Sequence, residues 1–236
     1  MNDDFVNDCR IYIFRDAASL SDDALARAAV SDFPNISAAV TGKRSPKACR
    51  HSLAAALLLL FAARNSFGLT PEQAIVERTA TGKPFFPGAP GCCFNLSHAA
   101  GAAVCITAPF PVGIDIESRR NVDASTMRRV CTQRELADIH SSPSPMLRFL
   151  QFWTLKESYV KATGDGMGFS LKNIEFTLLP DAVKASLPGS FYHVETGGLI
   201  LSAAALISSG FFPELIETGL TDILPYLHSN NIDRYG

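Results

Sequence analysis

Eleven consecutive apolar residues, LAAALLLLFAA from Leu53 to Ala63, constrain this chain more than any other stretch. A helix that is apolar all round must be surrounded by other material. The run is about half of the ~20 residues needed to span a bilayer, so it reads as a helix buried in a folded core and not as a membrane segment. Ser45-Pro46 gives it an entry and Gly68 a stop. With 236 residues, 47% hydrophobic and 19% charged, the chain has enough material for a substantial core. That core could form as one domain or as two halves of roughly 100–120 residues.

Elsewhere the hydrophobic period changes. CRIYIFR (Cys9–Arg15) alternates and reads as a strand, and Ser21-Asp22-Asp23 opens a helix. Thr70-Pro71-Glu72 reads as the start of a second short helix, and Thr81 to Gly91 as a Pro/Gly loop. CCFNLSH, AAVCITA and VGIDIE then read as a strand, its hairpin partner and a third strand. Ser125 to Ile139 and Met146 to Thr163 return to helical spacing, and GDGMG (Gly164–Gly168) supplies a helix stop and a turn. SLKNIEFTLL, SFYHVET and GLILSAAALI alternate as strands. This order predicts an α+β fold with at least one antiparallel sheet, without the regular βα alternation of a doubly wound fold.

A net charge of −2 argues against general nucleic-acid binding, which relies on neutralising many phosphates. The six cysteines include no C-x-x-C pair, which argues against zinc. The acidic start MNDDFVNDCR lacks the basic and apolar regions of a signal peptide, so the expectation is a cytoplasmic protein with reduced thiols. TGKR (Thr41–Arg44) lacks the remaining residues of a P-loop, and no G-x-S-x-G elbow exists.

Two short segments carry chemistry. In GIDIE, Asp115 and Glu117 stand two residues apart, which on a strand puts both carboxylates on one face and the isoleucines on the other. Paired acids repel unless a cation lies between them, and their hard oxygens suit Mg²⁺; a solvated edge strand would show the same spacing. In FWTLKESYVKATGDG, Glu157 and Lys161 share a helix face. They could form an ordinary surface pair, or they could face a ligand as a third acid and a cation. Lys156, about 100° around the helix, is expected at the surface, and Trp153 in the core. Ser97 and His98 end a strand, where hydroxyl, imidazole and backbone N–H can hold phosphate; a structural histidine with its hydrogen bonds satisfied would show the same spacing.

Taken together, Arg50 before the long apolar helix, GKP, FNLSH, VGIDIE, CTQRELADI, WTLKESYVKATGDG and SLKNIEF resemble, in that order, the 4′-phosphopantetheinyl transferases of the long, monomeric, surfactin-synthetase type. The match runs from about Lys47 to Leu178, and GIDIE followed by W-x-x-K-E-x-x-x-K is its specific part. The resemblance implies a pseudo-twofold fold of two similar lobes, each with a small antiparallel sheet and a long helix. They would divide as residues 1–110 and 111–236, with the boundary between about 88 and 112, the second lobe carrying the metal site and coenzyme A lying between them. It implies transfer of the phosphopantetheine arm of coenzyme A to a serine of an apo acyl or peptidyl carrier protein, with release of adenosine 3′,5′-bisphosphate. By motif position, Asp115, Glu117 and Glu157 would hold Mg²⁺. Glu157 would also serve as base, and Lys161 would neutralise charge on the pyrophosphate. Arg50, Lys83, Ser97, His98 and Lys161 would hold coenzyme A. The carrier is typically acidic in this family, and Arg119, Arg120, Arg128 and Arg129 offer it a docking surface. A non-catalytic coenzyme A or carrier-protein binding module on the same fold is the alternative.

Overall fold

The computed structural model describes residues 8–208 and 211–227, so most of the acidic N-terminal segment lies outside the described residues. The first part of the chain runs β1 (Arg10–Phe14), α1 (Asp22–Ala29), α2 (Pro34–Val40), α3 (Pro46–Phe67), β2 (Glu77–Arg78), β3 (Pro84–Phe85), β4 (Cys93–Ala99) and β5 (Ala102–Ala108). The middle continues as β6 (Val112–Ser118), α4 (Ala124–Val130), α5 (Gln133–Ser141) and α6 (Pro145–Thr163). Then follow β7 (Phe176–Leu179), β8 (Ala182–Ala185), β9 (Ser190–Thr196), β10 (Leu199–Ala205), β11 (Glu214–Thr218) and α7 (Leu220–Ile223). The fold class is α+β.

Two sheets organise these elements, one in the order β11-β1-β5-β4 and one in the order β6-β10-β9. All pairings in them are antiparallel except β1 with β11, which is parallel. Strand alternation sorts the side chains into layers. Ile11, Ile13, Val104 and Ile106 of the first sheet meet Ile114, Ile116, Leu201 and Ala203 of the second in a shared core. On its other face the first sheet turns Tyr12, Phe14, Phe94 and Cys105 toward α3, where Leu53 to Leu60 are all buried. The second sheet turns Ile200 and Ala204 toward α6.

The long helices begin and end as the sequence predicts. Ser45 Oγ accepts from the Ala48 N–H, and Gly68 closes α3 in the left-handed conformation at φ 69°. Gly164 closes α6 in the same way at φ 79°. Ser21 caps α1 as expected.

Several expectations fail. Thr70-Pro71-Glu72 forms a turn and no helix. The stretch from Ser125 to Ile139 is two helices: a capping box between Thr132 and Glu135 starts α5 afresh. SLKNIEFTLL begins as a short 3₁₀ turn and becomes strand only at Phe176. Lys156 is not at the surface. It is fully buried, ion-paired to Glu135 at 2.9 Å, and its ammonium also donates to the carbonyls of Leu171 and Ile174. The prediction failed because the side of α6 away from the cleft is covered by α5 and the 171–176 segment, leaving no solvent face there. Trp153 anchors the core only in part: it packs against Phe149 at the edge of the core but is partly buried and also lines a cleft, while Phe149 and Phe152 fill the core.

Candidate functional site

The site forms where α6 lies across β6. Gly113 makes this approach possible, because a Cβ there would penetrate Ser158 O, Ala162 N and Lys161 C of the helix backbone. Along the same strand face, two and four residues on, come Asp115 and Glu117. Asn95 of β4 holds the other side of the strand end in place, its Oδ1 accepting from the Ile114 N–H at 3.1 Å.

Lys161 reaches Asp115 Oδ1 at 2.7 Å, the Ile114 carbonyl at 3.1 Å and Ser97 Oγ at 3.2 Å. All three ammonium protons therefore have acceptors. Ser97 Oγ in turn donates to Asp115 Oδ1 at 2.9 Å. Burial pushes the Asp115 carboxyl above its ordinary pKa; Lys161 and Ser97 pull it down, and Glu117 pushes it up. Glu117 is held by Arg120 through two bonds of 2.9 and 3.1 Å.

Glu157 makes no hydrogen bond or ion pair among the described residues. Burial raises its pKa, and the charges of Asp115 and Glu117 raise it further against the pull of Lys161. The three acids predicted to act together are thus electrostatic neighbours. Even so, no group of three or more His, Cys, Asp or Glu side chains among the described residues is spaced to hold a metal ion. Asp115 and Glu117 are turned to their own cations. The three groups are all carboxylates, whose hard oxygens suit Mg²⁺ in chemistry.

Glu157 and Lys161 open into a cleft of about 970 Å³, which is also lined by Trp153, Asn95, Arg129, Arg78 and Lys83. Four cations against one acid suit an anionic ligand, and the volume suits one of nucleotide size. The loop from Thr79 to Lys83 lies on the end of α6, where Lys83 Nζ donates to the Ala162 carbonyl. A Cβ on Gly164 would come within 2.9 Å of the Lys83 side chain. Burial lowers the Lys83 pKa.

Ser97 and His98 point to opposite sides of β4, as adjacent strand residues must. Ser97 joins the acids, while His98 packs against His51 of α3 at 5.8 Å between ring centroids. Burial and then Lys161 lower the His98 pKa. Arg50 lies outside the main cleft, in a smaller pocket with Lys47, His51 and Gly101. It is paired there with Asp22 and donates to the Leu20 carbonyl at 2.7 Å. Sequence reasoning overlooked Gly113, Asn95 and Arg120 as parts of the site. Each lies within or beside a motif already quoted, but only the contact with α6, β4 or Glu117 gives it a role.

Residues 111–197, which span β6 to the turn after β9, match the 4′-phosphopantetheinyl transferase superfamily. Over 172 residues the chain is 33% identical to 4′-phosphopantetheinyl transferase HetI of a Nostoc species, covering 70% of this chain and 67% of that protein. Over 134 residues it is 31% identical to 4′-phosphopantetheinyl transferase psf-1 of Bacillus pumilus, covering 56% of this chain. The chain spans 58% of the length of that relative and 60% of a second from Bacillus subtilis. Holo-[acyl-carrier-protein] synthase of Thermotoga maritima overlays at a TM-score of 0.38 and 18% identity, covering 42% of this chain and 64% of that one, too little to define a shared fold. The chain belongs to the 4′-phosphopantetheinyl transferase superfamily.

Proposed function

We propose that this protein transfers the 4′-phosphopantetheine arm of coenzyme A to a serine hydroxyl of an apo acyl or peptidyl carrier protein. The observation that carries the reading is Glu157: a carboxylate of raised pKa, unpaired among the described residues, lining an electropositive cleft one helical turn from Lys161. A serine hydroxyl is a poor nucleophile near neutral pH, and such a carboxylate is suited to take its proton, directly or through water. The serine oxygen then bonds to the phosphorus bearing the pantetheine arm. The bond from that phosphorus to the bridging oxygen breaks, and adenosine 3′,5′-bisphosphate leaves with the electron pair. Lys161, held over Asp115, stabilises negative charge as it moves to the leaving group.

Asp115, Glu117 and Glu157 would hold Mg²⁺, which when bound supplies charge neutralisation at the diphosphate. Lys83 and Arg129 face the cleft and would bind the phosphorylated substrate. His98, with His51, Lys47 and Arg50 nearby, would hold the nucleotide end, and Ser97 would position Asp115 and Lys161 as well as contact phosphate. In this reading the two sheet-and-helix units would be the two lobes of a pseudo-twofold arrangement, divided near residue 110 and with β11 returning to the first sheet. The basic surface from Arg119 to Arg129 would receive an acidic carrier. A monomer working in the cytoplasm completes the reading.

The test is a mass measurement on a purified apo carrier given the protein, coenzyme A and Mg²⁺. A gain of one phosphopantetheine is expected, and no gain across fatty-acid, polyketide and peptide carriers would refute the reading. Asp115→Ala and Glu157→Ala are expected to abolish the gain while keeping the wild-type circular dichroism. Near-normal rates in both would remove the acids from the mechanism. Coenzyme A binding by calorimetry without any transfer would point instead to the binding module.

A further inference from the structure

Both acids of β6 already hold a cation of the chain's own. Asp115 is bonded to Lys161 beneath α6, and Glu117, nearer the surface, is gripped by Arg120 through two bonds of 2.9 and 3.1 Å. Bidentate pairing of guanidinium with carboxylate is the strong form of this contact. The Arg120 guanidinium also stands 6.0 Å from the Trp153 ring centroid, and Trp153 lines the cleft one turn before Glu157. Arg120 lies in a neighbouring pocket with Arg119 and Asn121, and it touches both an acid assigned to a divalent cation and an aromatic that lines the cleft assigned to a diphosphate.

A divalent cation arriving alone at Glu117 has to displace the guanidinium and leave two positive charges side by side. A diphosphate arriving with it offers the guanidinium a new pair of oxygens with the same fork geometry. We propose that Arg120 is a specificity-determining residue that exchanges Glu117 for the oxygens of a diphosphate, so that the site takes Mg²⁺ and diphosphate together and resists Mg²⁺ alone. This rests on the transferase reading given above. By linkage, whatever the diphosphate does for the cation's affinity, the cation does for the diphosphate's. The neighbouring Arg119 reaches Glu195 at 3.5 Å and has no part in the exchange.

Calorimetry on the full chain tests this with two titrants, MgCl₂ alone and magnesium pyrophosphate. Arg120→Gln is expected to tighten Mg²⁺ alone by about tenfold and to weaken magnesium pyrophosphate by about tenfold, within the usual span of coupling between sites. Arg120→Lys, which keeps the charge and loses the fork, is expected to fall between. Arg119→Gln is expected to change neither affinity, which separates the exchange from a general effect of charge. The proposal is overturned if Arg120→Gln leaves either affinity at the wild-type value, or if Arg119→Gln reproduces both shifts. Circular dichroism of each variant checks the fold. A wild-type protein that fails to modify any carrier overturns the transferase reading. One that modifies a carrier, beside an Arg120→Gln variant with unaltered affinities, overturns the exchange alone.

Discussion

Gly113 stands where β6 and α6 come closest, and its missing side chain sets the distance at which Lys161 can reach Asp115. A methyl group there would overlap backbone atoms of Ser158, Lys161 and Ala162, and none of these can rotate aside. Gly113→Ala is therefore expected to lower stability by about 3 kcal/mol or more, at or above the top of the ordinary range for overpacking. Urea unfolding would read this, and carrier modification should fall with it as α6 lifts. The sequence made part of this site plain. The two-residue spacing of Asp115 and Glu117 and the four-residue spacing of Glu157 and Lys161 follow from strand and helix geometry alone. What it could not convey is which element lies opposite. Gly113 and Asn95 have meaning only once α6 and β4 are in place, and Trp153 read as core because an aromatic on a helix usually is.

At the scale of elements, α6 is fixed on its far side by the buried Lys156–Glu135 pair. Glu135 also accepts from the Thr132 and Phe176 N–H groups, so one carboxylate joins the start of α5 to β7. Lys156→Met would leave that carboxylate buried without its cation, at an expected cost of about 3–5 kcal/mol in chemical denaturation. On the second sheet, Thr154 of α6 bonds Ser202 of β10 at 2.7 Å, and Ser202 bonds His193 of β9 at 2.9 Å. The other ring nitrogen of His193 is buried without a partner among the described residues. Burial lowers the His193 pKa from 6.5, with Arg148 acting in the same direction and Glu195 against it. The unfolded chain thus binds the proton first as pH falls. Stability from this site is complete above pH 6.5 and declines below it, toward the lower pKa of the folded state. His193→Phe is expected to give a shallower loss of melting temperature on acidification than the wild type. Elements with strong periodicity, such as α3, α6, β5 and β10, were legible in the sequence. The break between α4 and α5 was signalled by the Thr132–Glu135 capping pattern, but continuous helical spacing across it masked the stop.

Across the whole molecule, the first and last strands among the described residues meet in one sheet. β11 lies parallel to β1, and Ile223, Tyr226 and Leu227 pack into the core around α3. Arg15, just after β1, holds Glu217 through its guanidinium and also reaches the Thr196 carbonyl and hydroxyl at the β9–β10 turn, so it ties both sheets together. Burying three such side chains contributes roughly 5–8 kcal/mol, comparable to the whole stability of an ordinary domain. Deleting residues 211–236 is therefore expected to remove the amide-exchange protection of β1 and α3. Retained protection there would show that the core stands without them. Nothing in the alternation of Glu214 to Thr218 marked its partner as the first strand, because pairing across such a separation leaves no local trace. Arg15 and Glu217 are 202 positions apart. While the protein is being synthesised, β1 therefore emerges from the ribosome long before its parallel neighbour exists. Its open edge has to stay shielded until β11 is released, which makes this edge a place where a nascent chain would recruit a chaperone or pair wrongly with another copy.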